Sequence, residues 1–295
     1  LLNDKADAVL KTVTTTKDGI PLSSEEQSYV DKNMNHEIQI LQTLPPNNNI
    51  VKYISDEQMH SKGFAIPTIP HYYLEYCENG DLSSYNEFDI TDVYRQVFSG
   101  LKHLYENYII HSDIKEDNVL VTMVDGKPIY KIADFGLSVD IKTLQKDTDG
   151  KVDQLSLFIN ATPLYRPSYL KYTTYFRDLY ALFCMLFYLQ TGKNFNTNDK
   201  QSKLIKLCHE NTFSGLNYIF KFYTYLIGLE SELLTKYNDP TSGQKIIKII
   251  PGADGYEPNI VRGKIAEGER LTINVEDDHK QYAKIYNSLT EFRLS

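Results

Sequence analysis

His111-Ser112-Asp113-Ile114-Lys115-Glu116-Asp117-Asn118-Val119-Leu120, with Asp134-Phe135-Gly136 a little further on, is the stretch on which the reading of this chain turns. Between the two lie β-prone runs, 119–124 and 128–132, flanking Asp125-Gly126, a dipeptide that favours a two-residue hairpin turn. The hairpin returns the chain so that Asp134 faces the loop that precedes it. That loop carries a carboxylate (Asp113), an ammonium (Lys115) and a carboxamide (Asn118). Phosphoryl transfer needs such a set. Oxygens hold Mg²⁺ against a triphosphate, an acceptor orients the incoming hydroxyl, and a cation offsets charge on the γ-phosphate. Any one of these residues alone would more often be a turn former or a solvated charge. In this order, with a hairpin between them, coincidence is a poor account.

Working outward, residues 8–13 (AVLKTV) read as a strand, followed by a polar segment to about Glu26. Ile38, Leu41 and Leu44 recur at helical spacing, and Pro45-Pro46 stops that helix. Residues 50–54 and 72–77 are short β-prone runs separated by a loop containing Gly and Pro. After Asn79-Gly80 the character changes: Val93, Val97, Leu101 and Leu104 form an apolar stripe on a helix ending near Tyr108. From Asp178 helical patterns dominate. The apolar run 179–189 is shorter than the ~20 residues a bilayer span needs, so it reads as a buried helix rather than a membrane segment. Beyond Pro240, residues 245–250 and 271–275 are strand-like, and a last helix starts at about Asp278. A boundary near Gly80 therefore separates a small β-rich unit, 1–79, from a larger, mainly α-helical one, 80–295.

Composition sets outer limits. With 295 residues, 41% of them hydrophobic and 24% charged, the chain is neither disordered nor fibrous. A formal charge of −8 argues against a nucleic-acid partner, which demands clustered Lys and Arg. Cys77, Cys184 and Cys208 are odd in number and lack metal or redox spacing, so they read as thiols of a reducing compartment. No cationic segment followed by an apolar one opens the sequence, so no secretory signal is expected there, and the protein reads as soluble and cytoplasmic.

The central segment resembles the eukaryotic-type protein kinase family, whose catalytic loop reads H-R-D-L-x-x-x-N and whose metal motif is D-F-G. The likeness extends from about residue 6 to about 195. It implies an α+β, bilobal, protein-kinase-like fold, with a small β-rich N-lobe and a mainly α-helical C-lobe whose end is divergent. It implies ATP and Mg²⁺ as cofactors and a protein hydroxyl as acceptor. By this resemblance Asp113 orients the substrate hydroxyl, Lys115 contacts the γ-phosphate, and Asn118 and Asp134 are Mg²⁺ ligands. Lys115, two residues after Asp113, follows the serine/threonine pattern. Ala8-Val9-Leu10-Lys11 is similar to V-A-I-K, making Lys11 the contact to the α- and β-phosphates, and Glu37 its helical partner, with 14–27 an inserted loop. Residues 73–82 (YLEYCENGDL) resemble the hinge, with adenine on the backbone of Glu75 and Cys77, Leu74 as gatekeeper, Leu120 lining the nucleotide site and Asp81 near the ribose. Residues 161–169 (ATPLYRPSY) resemble the end of the activation segment, where Thr162 would bridge Asp113 and Lys115. Asp178 would brace the catalytic-loop backbone from a buried helix, and Leu41, His111 and Phe135 would stack between the lobes.

Three departures stand out. Ser112 replaces the Arg that receives an activation-loop phosphate in the family, so activity is expected not to depend on that phosphate. Tyr169 stands where the family has the Glu of A-P-E. No glycine-rich loop precedes Lys11; the sequence begins mid-lobe without Met, as a piece lacking its first strands would. The aromatic stretch 220–226 reads as core, with a homodimer surface as the alternative. The rival to a working kinase is a pseudokinase, a nucleotide-binding scaffold or interaction module; a small-molecule kinase is disfavoured by the Thr162 segment. The divergent C-lobe suits a protist kinase or a bacterial effector acting in a host cytosol.

Overall fold

A computed structural model describes residues 8–13, 15–17, 20–63, 67, 70–146, 151–153, 162–166, 174–195, 219, 222, 226, 238–239, 244–250, 259–264 and 272–292. Cys208, Tyr169 and most of the aromatic stretch 220–226 lie outside these residues.

The N-terminal part comprises β1 (Ala8–Thr12), a short hairpin of β2 (Thr16–Lys17) and β3 (Ile20–Pro21), helix α1 (Ser24–Thr43), β4 (Tyr53–Ile54), α2 (Asp56–Ser61) and β5 (His71–Glu75). β5 lies between β1 and β4, antiparallel to both, with Lys11 opposite Tyr72. The segment read as an inserted loop up to Gln27 instead carries the β2–β3 hairpin and the first turn of α1. A capping box starts this helix. The Ser23 hydroxyl accepts the Glu26 N–H, and the Glu26 carboxylate accepts the Ser23 N–H. Glu25 and Glu26 also lie at the positive end of the helix dipole. Leu44 closes α1 ahead of Pro45, as the proline demands. α2 was not anticipated, yet Ser55 and Gln58 form the same reciprocal cap.

The larger part opens with α3 (Ile90–Glu106), capped by the Asp89 side chain, whose stripe Val93, Val97, Leu101 and Leu104 is fully buried. Next come β6 (Ile109–Ile110) and the hairpin of β7 (Val119–Val124) and β8 (Lys127–Ile132). Asp125 and Gly126 both take positive φ, 51° and 73°, as a two-residue turn matched to strand twist requires. Asn49 and Gln96 dock this hairpin: the Asn49 amide donates to Gln96 and to the Tyr130 carbonyl, and the Gln96 side chain bonds the backbone of Pro128 and Tyr130. Gly100 on α3 permits the close approach, since a Cβ there would meet the Asn49 carbonyl and the Ile132 side chain at 2.8 Å.

After β9 (Val139–Asp140), which pairs with β6, come β10 (Lys151–Asp153) and α4 (Tyr175–Thr191). α4 is buried on every side from Tyr175 to Phe187 and stops at Gly192 in the left-handed region. Then follow β11 (Asn238–Asp239), β12 (Gln244–Ile250), β13 (Asn259–Lys264), β14 (Thr272–Asn274) and α5 (Val275–Glu291). β11, β12 and β13 form one sheet, so the distal region adds strands to a mainly helical lobe, while β14 pairs antiparallel with β10. α5 docks on α3 through stacked rings: Tyr108 on His279 at 3.9 Å, His279 on Tyr105 and Tyr105 on Tyr286, both at 4.3 Å. Phe222 and Leu226 are fully buried, and Phe222 meets Tyr94 edge-on at 5.3 Å. These two residues are core, and they lend the dimer surface no support. Among the described residues no helix is long and apolar enough to cross a membrane.

Candidate active site

β1 and α1 bring Lys11 and Glu37 together across 26 residues. Lys11 Nζ donates to Glu37 Oε1 at 3.0 Å and Oε2 at 2.9 Å, and lies 3.5 Å from Asp134 Oδ1. Glu37 is only 3% exposed, and it also accepts the Phe135 N–H at 3.3 Å. A carboxylate so buried needs several donors to offset its lost hydration. Those donors tie the α1 helix to both Lys11 and the Asp134-Phe135-Gly136 turn. Asp134 itself takes φ 64°, a left-handed backbone that costs about 1–3 kcal/mol in a non-glycine residue. Its carboxylate stays half exposed.

The loop from His111 to Asn118 hangs from α4. The Asp178 carboxylate accepts the N–H of His111 at 2.7 Å and of Ser112 at 2.8 Å, the latter residue at φ 72°. Burial pushes the Asp178 carboxyl up to about 7, against the lowering effect of these two N–H groups. The His111 ring contacts the Ala133 carbonyl through Nε2 and the Asp113 N–H through Nδ1. This network assigns the proton to Nε2. Burial lowers the pKa of His111, keeping it neutral, and its ring meets Phe135 edge-on at 4.9 Å. Leu41 is buried in the same core.

Asp113 is the hub. Its Oδ1 accepts the Thr162 hydroxyl at 2.5 Å; its Oδ2 accepts Lys115 Nζ at 2.8 Å and Asn118 Nδ2 at 3.0 Å. Lys115 also reaches the Thr162 hydroxyl at 3.3 Å. Burial alone would raise the Asp113 carboxyl, but the bonds from Lys115 and Thr162 outweigh it and hold the group below the usual carboxylate range. Lys115 is shifted the other way: burial lowers it, and the Asp113 bond and charge more than reverse that. Asn118 spends Nδ2 on the Asp113 carbonyl and carboxylate, which leaves its Oδ1 for another partner. One carboxylate oxygen and one amide oxygen are hard donors suited to Mg²⁺. No cluster of three or more His, Cys, Asp or Glu forms a separate metal cage among the described residues. A metal here would have to share its shell with phosphate oxygens.

At the end of β5, in the segment expected to be the hinge, Leu74 is buried and the Glu75 side chain turns to Lys131 at 2.9 Å and the Lys52 N–H at 2.8 Å. The Cys77 carbonyl accepts the Gly80 N–H, and the Cys77 thiol, buried and unbridged, is pushed up to about 12 by burial. Asp81 bridges to Leu120, and its Oδ1 is engaged by Ser83 and Ser84. A cavity of 330 Å³ opens beside Lys11, Glu37, Tyr72, Asp134 and Leu137.

Two contributors escaped the sequence reading. Tyr72 is 1% exposed and lies beneath Lys11, whose Nζ is 5.6 Å from the ring centroid. Its placement two residues before Leu74 on one strand face was the available signal. The second is the Glu116–Tyr165 bond, across 49 residues, for which no local pattern exists.

Residues 8–239 match the family model of the protein kinase domain. The chain belongs to the protein kinase family. The chain is 29% identical over 202 residues to the serine/threonine-protein kinase atg1 of Dictyostelium discoideum, covering 62% of this chain and 28% of the relative. It is 30% identical over 170 residues to mitogen-activated protein kinase kinase kinase 1b of Physcomitrium patens, covering 55% of this chain and 20% of the relative. It is also similar to the inhibitor of nuclear factor kappa-B kinase subunit alpha of Danio rerio, 32% over 115 residues, 35% of this chain and 15% of that protein. The chain spans 15–28% of the length of these relatives.

Proposed function

We propose that this kinase transfers the γ-phosphate of ATP to serine or threonine hydroxyls of proteins. The observation that carries the reading is the joined network in which Asp113 holds Lys115, Asn118 and Thr162 while Lys11 holds Glu37 and approaches Asp134. Mg²⁺, taken by Asn118 Oδ1 and Asp134, would join the triphosphate to the protein and offset its charge. Lys11, fixed by Glu37, supplies a cation for the α- and β-phosphates. The backbone of Glu75 and Cys77 meets the adenine, with Leu120 below it and Asp81 Oδ2 open to the ribose.

Asp113 is a weak base because its neighbours keep it ionised. It therefore orients the acceptor hydroxyl and takes the proton late, once bond formation to phosphorus has made that hydroxyl acidic. Lys115, next to it, faces the charge that builds on the transferring phosphoryl group. Thr162, touching both, ties the peptide platform to the reacting groups and favours serine or threonine acceptors over tyrosine.

The kinase would act without activation-loop phosphorylation. Ser112 offers no cation to a phosphate, and two contacts already hold the segment after Asp134: the β10–β14 pairing and the Lys146–Glu276 ion pair at 2.6 Å. Buried, unbridged Cys77 and Cys184 suit a cytoplasmic setting. A pseudokinase scaffold is the rival, favoured by Ser112 and Tyr169.

The test is incubation of the full-length protein with Mg²⁺, radiolabelled ATP and a generic protein substrate. Incorporation well above that of Asp113→Asn, recovered as phosphoserine or phosphothreonine, is expected. Incorporation equal to that control defeats the enzyme reading, and phosphotyrosine alone defeats the acceptor assignment.

A further inference from the structure

Glu116 lies in the catalytic loop, next to Lys115, yet the residue is only 7% exposed. The Tyr165 hydroxyl donates to it, 2.7 Å from Oε1 and 2.5 Å from Oε2. Tyr165 is 8% exposed and ends the 3₁₀ turn Pro163–Tyr165, three residues beyond Thr162, and this turn packs on α4. The end of the activation segment therefore touches the catalytic loop twice: Thr162 meets Asp113 and Lys115, and Tyr165 meets Glu116.

The two contacts differ in kind. Thr162 binds the groups that face the reaction, so its bonds must rearrange as an acceptor hydroxyl approaches Asp113. Tyr165 binds a carboxylate already enclosed by protein. One hinge point would let the turn pivot about Thr162, whereas two points a turn apart fix its orientation. An apolar pair of similar volume could fill the same space without burying a carboxylate, which is costly to desolvate. What a charge-assisted hydrogen bond adds is direction.

We infer that Glu116 is a positioning residue for the protein substrate: through Tyr165 it sets the orientation of the platform on which the acceptor peptide lies, without touching the nucleotide. This inference rests on the phosphotransfer reading above.

Steady-state kinetics of the full-length protein, with peptide and ATP varied separately, test it on the parent, Tyr165→Phe, Glu116→Ala and Glu116→Gln. Loss of a hydrogen bond to a charged group converts to roughly a tenfold change or more. Tyr165→Phe and Glu116→Ala are therefore expected to lower kcat/KM for peptide by about that factor, while KM for ATP stays within about twofold. Glu116→Gln keeps an amide oxygen that can accept the Tyr165 hydroxyl, so it should retain most of the parent's peptide kcat/KM. Peptide kinetics unchanged in Tyr165→Phe would overturn the inference. So would parallel losses for ATP and peptide, or a Glu116→Gln as impaired as Glu116→Ala. Tyr165→Phe differs by one oxygen and carries the test if Glu116→Ala fails to fold. A parent that transfers no phosphate sinks the kinase reading and this inference with it; an active parent matched by Tyr165→Phe sinks this inference alone.

Discussion

The Asp178 carboxylate grips the backbone of His111, accepting its N–H at 2.7 Å, and with its other oxygen takes the N–H of Ser112. Both donors are enclosed by protein, and Ser112 sits at φ 72°. The loop that presents Asp113 is thus braced from a side chain 67 residues away, beside its own short bond from the Asp113 N–H to His111 Nδ1. Asp178→Ala would leave two buried N–H groups without their acceptor, at about 1–3 kcal/mol each. The expected result is a clear fall in the thermal midpoint together with loss of phosphotransfer; an unchanged midpoint would show the brace to be dispensable. Asp178→Asn, which keeps one acceptor oxygen, should fall between the two.

Lys11 and Glu37 are unequal partners, since the Lys11 side chain is 40% exposed and that of Glu37 only 4%. Lys11→Met takes two hydrogen bonds from a buried carboxylate, whereas Glu37→Gln leaves an exposed ammonium that water can solvate. Lys11→Met is therefore expected to destabilise by about 1–3 kcal/mol and Glu37→Gln by less. Both should abolish most phosphotransfer. Chemical denaturation checks the ordering, and equal destabilisation would contradict it.

Lys146 and Glu276 pair at 2.6 Å, and in the β10–β14 ladder the backbone of Val152 is in register with Ile273. If this contact stands in for an anchoring phosphate, Ile273→Pro, which removes a backbone donor and fixes φ, should speed hydrogen exchange at 151–153 and lower activity. Glu276→Lys should do so more mildly, and Lys146→Glu in the same chain should restore it. Replacing each Ser, Thr and Tyr between 138 and 160 singly should leave activity intact. Loss at any one of them other than Ser138, whose buried hydroxyl holds the His111 carbonyl, would restore a phosphorylation switch.

His279 is stacked between Tyr108 and Tyr105, and the Tyr175 hydroxyl lies 2.8 Å from its Nδ1. Burial, and then the charge of Lys142, lowers its pKa to about 4. An ordinary histidine titrates near 6.5. The folded state thus favours the neutral ring. Its contribution to stability is fully present above about pH 6.5 and is lost as pH falls towards 4. The α5 dock should weaken over that window. Melting curves of the parent against His279→Gln measure it: the parent's midpoint should fall more steeply with acid, and parallel curves would rule His279 out.

The Asp125-Gly126 turn, the proline stop of α1 and the buried stripe of α3 are all legible in sequence. Each rests on residues within about four positions of one another, where backbone geometry alone dictates the pattern. The order Asp113, Lys115, Asn118, Asp134 was legible for the same reason, as was kinship with the protein kinases. Reading 14–27 as a loop overlooked the Ser23 and Glu26 cap, a signal that polar composition hid.

By itself, then, the sequence determined the family, the α+β class and the residue types available for chemistry, because these are carried by short-range spacing. Other meetings were decided only by tertiary structure: Glu37 with the Phe135 N–H, Tyr72 beneath Lys11, Glu116 with Tyr165, β10 with β14. A buried carboxylate takes whichever donor packing delivers, and that choice depends on helices and strands settling against one another, not on any spacing along the chain.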